Sequence, residues 1–199
     1  VAAHGNSGVI LSQFFRGFAK ELGKVNSQEL TVVQLIDALI SGYKVAYSGV
    51  VQPIEGTILT VLREAGEHLR LKRGKLITFE DTLTAYFSQA KITLQKTPTL
   101  LPVLKEANVV DSGGAGFVKI VEGFVHFING KVIKEATKTT TKSFVLNSEQ
   151  STAYDHVIGE IKFKFCTEFV LILDKPEQFV KEKFIKEIKD FGDSMVVIH

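Results

Sequence analysis

Apolar residues recur at three- and four-residue intervals through the first 130 residues, and this spacing places them on one face of a helix. The pattern predicts five main helices, over residues 9–22, 31–50, 54–71, 79–94 and 117–128. Pro98 and Pro102 frame a short helix after the fourth one, because proline interrupts helical hydrogen bonding. Asn129 and Gly130 are typical of a helix end. This part of the chain is therefore predicted to be all-helical.

The pattern changes in the last part of the chain. Apolar and charged residues alternate from residue 160, with Ile161 and Phe163 on one side and Lys162 on the other, as in a strand. The same part contains three further predicted elements, namely a short strand over 131–135, a helix that begins at Pro176 and a buried strand over 195–198.

These elements predict an α+β protein with two units. The first is an all-helical unit over residues 1–133, and a threonine-rich linker or edge strand follows over 134–150. Residues 151–199 are predicted to be part of a small α+β domain. This second unit is too short to bury a comfortable core alone.

Composition narrows the class of protein. The chain has 199 residues, of which 45% are hydrophobic, enough for a packed core and too many for a disordered chain. The net charge is only +2 and no long block of like charge occurs, which argues against nucleic-acid and membrane surfaces as partners. Cys166 is the single cysteine, so an intramolecular disulfide is excluded and a cytoplasmic location is expected. No transmembrane segment or signal peptide is recognisable in the sequence.

The segment G-N-S-G near the N-terminus is a candidate anion-binding turn. Asn6 and Ser7 are good N-cap residues, and Gly5 and Gly8 leave room for a ligand to approach the backbone. The first N–H groups of a helix have no partner within the helix and lie at the positive end of its dipole, so they favour phosphate. The alternative is an ordinary capped helix after a tight turn.

Two further turns repeat this arrangement. Gly56 and Thr57 precede one predicted helix, and Asp111, Ser112 and Gly113 precede another. An acidic residue beside glycines can hold a ribose hydroxyl or a base edge, although Asp111 or Ser112 is equally suited to be the N-cap of the next helix. If the helices run up and down, the three starts gather at one end, where a composite nucleotide site could form.

Three ordered segments carry a family resemblance. H-G-N-S-G-V-I-L-S-Q-F-F-R-G-F, P-I-E-G-T-I-L-T-V-L-R-E-A and L-K-E-A-N-V-V-D-S-G-G-A-G-F resemble the ATP-binding subunit of bacterial fatty acid kinase. The N-terminal domain of that subunit is related to the nucleotide-binding subunit of dihydroxyacetone kinase. F-K-F-C-T-E-F and F-G-D-S-M-V-V resemble the middle domain of the same family.

The resemblance implies an antiparallel helical barrel that holds ATP at one rim. The implied ATP-binding residues are Gly5, Asn6, Ser7, Gly8, Gly56, Thr57, Asp111, Ser112 and Gly113. The family binds Mg²⁺ through an aspartate-rich loop that no segment here matches, so no catalytic residue is assigned. We therefore expect the chain to start inside its first domain, to lack kinase activity alone, and to carry His4 where the family has arginine.

Cys166 is a candidate zinc ligand, because the resemblance associates it with a later pair of histidines. A lone cysteine in a strand is more often a small buried hydrophobe. His156 and His199 have no evident partner in the sequence, and no zinc is expected to bind this chain. His68, His126 and Arg63 are interpreted as surface or packing residues of helices.

Three functions remain open from the sequence. The first is ATP- and Mg²⁺-dependent phosphoryl transfer to a fatty acid presented by a fatty-acid-binding carrier protein, with a homodimer as a compatible assembly. The second is a non-catalytic interaction module of the same fold. The third is a kinase of a small ketose such as dihydroxyacetone, which the middle-domain segments disfavour.

Overall fold

The computed structural model describes residues 5–26, 29–131, 163, 165, 167–192 and 195–198. These residues contain seven α-helices and two short 3-10 turns. The helices are α1 (Gly5–Leu22), α2 (Val32–Gly49), α3 (Ile58–Leu71), α4 (Phe79–Leu100), α5 (Pro102–Glu106), α6 (Ser112–Ile128) and α7 (Lys181–Ile188). The 3-10 turns are Pro176–Gln178 and Lys189–Phe191. None of the described helices is long and apolar enough to cross a membrane.

Helices α1 and α2 are antiparallel and pack closely at two glycines. A Cβ built on Gly17 would lie 2.6 Å from the carbonyl oxygen of Ser41, and one built on Gly42 would lie 2.7 Å from the ring of Phe14. Real side chains do not approach so closely, so only glycine permits this helix separation. The start of α1 therefore lies beside the end of α2.

Helices α3, α4 and α6 complete an up-and-down bundle. The hydroxyl of Thr93 on α4 donates to a carboxylate oxygen of Glu64 on α3 at 2.8 Å, and the ring of Tyr86 on α4 packs edge-on against Phe117 on α6. Apolar side chains from α1, α2, α3, α4 and α6 form one core. Its largest fully buried members are Tyr86, Phe117, Ile36, Leu59, Leu62 and Leu69.

Four predicted helix boundaries are wrong, and one of them is the start of α3, which lies at Ile58 rather than at residue 54. The first helix begins at Gly5 rather than at residue 9, and α6 begins at Ser112 rather than at 117, so glycines lie inside both first turns. Helix α4 continues through Pro98 to Leu100. Proline has no N–H to give the carbonyl of Leu94, but the Thr97 hydroxyl donates to that carbonyl at 2.7 Å and so replaces the missing bond.

The predicted α+β class is also wrong, because the regular elements of the described residues are all helical and include no strand or sheet. Residues 167–173 form no strand despite their sequence, since a strand needs a paired neighbour to satisfy its backbone groups. The predicted strand over 195–198 contributes only an isolated bridge between Val196 and Val50. The helix predicted from Pro176 begins at Lys181, after a 3-10 turn. The strand predicted over 131–135 lies almost entirely outside the described residues.

Candidate nucleotide site at one end of the bundle

The three glycine turns lie at the same end of the bundle. The antiparallel arrangement brings the starts of α1, α3 and α6 to the end where α2 and α4 finish. We call this end, formed by residues 5–8, 56–57 and 111–114, the glycine end. The up-and-down geometry that a composite site requires is therefore present, whereas nucleotide binding at the glycine end remains a prediction.

The first and third turns are in direct contact. A Cβ built on Gly113 would lie 2.7 Å from the hydroxyl oxygen of Ser7 and 3.3 Å from Oδ2 of Asp111. Any larger residue at 113 would displace the Ser7 side chain, so the glycine lets the starts of α1 and α6 come together. Because Asn6 and Ser7 are exposed, the first turn of α1 remains accessible to a ligand.

Asp111 caps α6, as one of the sequence interpretations proposed. Its Oδ2 accepts a hydrogen bond from the N–H of Gly114 at 2.7 Å, which satisfies one of the donors at the helix start. The N–H of Asp111 donates to the Thr97 hydroxyl at 3.1 Å. Thr97 is fully buried and thus joins the end of α4 to this turn, a role that the sequence did not reveal.

The second turn requires a glycine in the left-handed backbone conformation. Gly56 has a φ of +86°, and a Cβ there would lie 2.8 Å from Cβ of Leu101. Thr57 is the N-cap of α3 but makes no side-chain cap, because its hydroxyl donates instead to the carbonyl of Ile54 at 2.8 Å. The backbone N–H groups at the start of α3 are therefore not satisfied by Thr57.

A polar cluster supports the second turn. Oε2 of Glu55 accepts from the Thr60 hydroxyl and from Nη2 of Arg63, both at 2.7 Å, and the Tyr47 hydroxyl donates to Oε1 at 3.1 Å. The Thr60 hydroxyl in turn accepts the N–H of Gly56 at 2.8 Å. Arg63 is thus part of a network and not simply a solvated base. Residue spacing did not indicate this network, because the partners lie on α2 and in the turn.

The cluster shifts the pKa of its members. Burial opposes the charge of Glu55, but hydrogen bonds from Thr60 and Arg63 outweigh it and lower the pKa of this carboxyl below its ordinary value. Burial likewise opposes the charge of Arg63, but hydrogen bonds to Tyr47 and Glu55 raise the pKa of the guanidinium. Both groups are therefore charged at neutral pH.

The C-terminal segment, defined here as described residues 167–192 and 195–198, also contacts the glycine end. Oε1 of Glu168 accepts the N–H of Gly5 at 2.8 Å. Nζ of Lys181 donates to the carbonyl of Ser48, and the N–H of Val51 donates to the carbonyl of Met195. Glu168 stands in the segment C-T-E-F, but nothing in its sequence context indicated that it would meet the start of α1.

The one candidate zinc ligand lies outside the described part of the chain, together with three of the histidines considered in the sequence analysis. Cys166, His156, His199 and His4 are outside the described residues. His68 lies in the last turn of α3, where burial lowers the pKa of its imidazole, and His126 lies in the last turn of α6. Among the residues that the structure describes, no group of three or more His, Cys, Asp or Glu side chains could hold a metal ion.

Two parts of the chain match known protein families. Residues 1–126 match the DAK2 domain family, and residues 162–199 match the middle domain of FakA-like fatty acid kinase proteins. The chain therefore belongs to the DAK2 domain family. The two matches make it a kinase-related member of the dihydroxyacetone kinase and fatty acid kinase family. The resemblance inferred from the sequence is thus confirmed for the family, whereas the ATP-binding role stays a prediction.

Three of its curated relatives come from bacteria. The chain is 36% identical to Protein YloV of Bacillus subtilis over 201 residues. It is 37% identical over 203 residues to an uncharacterised protein of Staphylococcus epidermidis and 34% identical over 202 residues to one of Staphylococcus aureus. All of this chain is covered in each case, but it spans only 36% of the length of each of these relatives.

Proposed function

We propose that the glycine end binds ATP, and that the chain is the nucleotide-binding part of a kinase that phosphorylates a fatty acid held by a separate carrier protein. The observation that carries this proposal is the contact between Ser7 and Gly113, which joins two helix starts around a surface with exposed polar groups. Two helix dipoles and their N–H groups then favour the same anion. Phosphoryl transfer depends mainly on such positioning and charge stabilisation.

The residues at the glycine end fit a nucleotide. Gly5, Gly8 and Gly113 carry no side chain that would keep phosphate from the backbone, and the Ser7 hydroxyl can donate to a phosphate oxygen. Asp111 already accepts from Gly114, so its second carboxylate oxygen is the one that can accept from a ribose hydroxyl. Mg²⁺ would neutralise phosphate charge, and the family resemblance assigns its carboxylate ligands to an aspartate-rich loop that no segment of this chain matches.

The match to the fatty acid kinase middle domain favours a fatty acid as the acceptor. A DAK2 domain is also compatible with phosphorylation of a small ketose, and the surface could serve a non-catalytic partner. These alternatives differ in a measurable way, because a non-catalytic module needs no nucleotide and a ketose kinase needs no acyl carrier. The test consequently has two stages.

The first stage measures ATP affinity by calorimetry for the chain and two serine variants. Ser7→Ala should weaken ATP binding by about 10-fold or more, since a hydrogen bond to a charged group contributes roughly 1.5–3 kcal/mol. Ser12→Ala is the matched control, because Ser12 lies on the same helix and its hydroxyl donates to the carbonyl of Val9. Equal affinities in all three proteins, or no ATP binding at all, would refute the nucleotide site.

The second stage identifies the acceptor in a chain extended to the length of the curated relatives. It is supplied with MgATP and either a fatty acid with its carrier protein or dihydroxyacetone. We expect acyl phosphate to form and dihydroxyacetone to remain unphosphorylated. Phosphorylation of dihydroxyacetone alone would favour the ketose kinase, and ATP binding without either product would favour the interaction module.

A further inference from the structure

A carboxylate of the chain itself lies where the proposed nucleotide phosphate would bind. Oε1 of Glu168 is 2.8 Å from the backbone nitrogen of Gly5, the first residue of α1. A carboxylate at this position satisfies a helix-start donor and interacts favourably with the helix dipole, as phosphate does. The two anions require the same N–H group and repel each other.

Other contacts hold the C-terminal segment against the same end of the bundle. The N–H of Val51 donates to the carbonyl of Met195 at 3.1 Å, and the N–H of Val197 donates to the carbonyl of Gly49 at 3.1 Å. Lys181 donates to the carbonyl of Ser48 at 2.9 Å. These acceptors and donors belong to the end of α2 and the residues after it, beside the start of α1. The position of Glu168 is therefore part of a docked arrangement.

The docked segment buries few of its apolar side chains. Among its described residues only Val197 is buried, whereas Val170 and Ile172 are 88% and 94% exposed. Because buried apolar area supplies most of the stability of packed elements, contacts of this kind open at low free-energy cost. A ligand that competes for Gly5 can therefore displace the segment.

We propose that the C-terminal segment is an autoinhibitory strap in which Glu168 occupies the phosphate position at the start of α1 until ATP displaces it. This inference rests on the proposed ATP site. ATP binding and Glu168 docking are then mutually exclusive, so removing the carboxylate tightens ATP binding and ATP releases the segment.

The experiment measures ATP affinity by calorimetry for the chain and its Glu168→Gln and Glu168→Ala variants. Both variants should bind ATP about two- to five-fold more tightly, the range expected for one charge at an exposed helix terminus. Glu177→Gln makes the same charge change in the exposed 3-10 turn and should leave the affinity unchanged. Trypsin cleavage after Lys181 reports docking independently. ATP should accelerate it in the parent chain, and Glu168→Ala should accelerate it without ATP.

The outcomes separate this inference from the proposed function. If Ser7→Ala weakens ATP binding but both Glu168 variants match the parent chain, the nucleotide site stands and the strap is refuted. If Glu168→Gln weakens binding of MgATP but not of metal-free ATP, Glu168 is a cation ligand and the strap is again refuted. If ATP binds neither the parent chain nor any variant, the proposed function is refuted, and the autoinhibitory role of the segment is refuted with it.

Discussion

The helical bundle and the C-terminal segment differ in burial: similar apolar side chains are buried in the bundle and exposed in the segment. In the bundle, Leu62 and Phe117 are 0% and 2% exposed and belong to a single core. Near and within the segment, Phe165 and Ile172 are 89% and 94% exposed. The same residue types therefore stabilise one region and leave the other without a core.

The difference arises because a helix forms its backbone hydrogen bonds locally, whereas a strand forms them with a partner that can be distant in sequence. A helix satisfies its backbone groups within itself, so apolar residues on one face need only find each other. An alternating segment satisfies its backbone groups only beside a partner strand. None is present in the described residues apart from the bridge to Val50. Hydrophobicity alone thus does not say which apolar side chains are buried.

The largest test of this contrast truncates one apolar side chain in each region. Leu62→Ala should lower the free energy of unfolding by about 2–5 kcal/mol, because it removes buried contacts and leaves a cavity. Ile172→Ala should change it by less than about 0.5 kcal/mol, as expected for an exposed residue. Urea denaturation followed by circular dichroism measures both values. A loss in Ile172→Ala as large as that in Leu62→Ala would mean that the segment shares in the core after all.

A smaller effect is expected when glycines are replaced within the bundle. Gly42→Ala should destabilise the protein by about 1–3 kcal/mol, because the new methyl group would overlap the ring of Phe14. Gly123→Ala is the matched control, since a Cβ there meets nothing within 4 Å. Alanine favours helix over glycine, so this variant should be stabilised by roughly 0.5–1 kcal/mol. Destabilisation of both variants would mean that glycine serves the backbone here and not the close contact of α1 with α2.

Most of the helical bundle could be predicted from the sequence, because the apolar spacing that indicates each helix lies within that helix. The apolar spacing located α2 to within one residue at each end, and it located α3 and α6 but placed their starts wrongly. Pro98 misled the prediction because the residue that compensates for it, Thr97, is recognisable only once its hydroxyl is seen on the carbonyl of Leu94. The strands could not be predicted correctly, since their formation depends on partners that a periodic pattern does not reveal.

The candidate site was likewise predictable only in part from the sequence. The turns at Gly5, Gly56 and Gly113 were recognisable from residue types, and their common location followed from antiparallel packing. Glu168 and Arg63 were missed, because each acts through a residue distant in sequence or on another element. The glycine turns of the candidate site could therefore be predicted from local sequence. The charged side chains around it could be identified only from the folded structure.

The weakest effect concerns Glu55, a charged group of the bundle that remains partly open to water. Its side chain is 48% exposed and is paired with Arg63, so solvent screens the interaction. The pKa of Glu55 is lowered by folding from the ordinary value of 4.5. Its contribution to stability is therefore complete above that value and is lost as the pH falls through the lower pKa of the folded state.

We expect Glu55→Gln to lower the free energy of unfolding by less than about 1 kcal/mol at pH 7, because an exposed ion pair contributes little. The difference from the parent chain should shrink as the pH falls below 4.5 and through the lower pKa of the folded state, where the parent carboxylate takes up its proton. Urea denaturation at each pH measures it. Arg63→Gln removes the charged partner and should shift this dependence towards the ordinary carboxyl pKa. A difference that stays constant over this acid range would show that the charge of Glu55 contributes nothing and that its hydrogen bonds alone support the turn at Gly56.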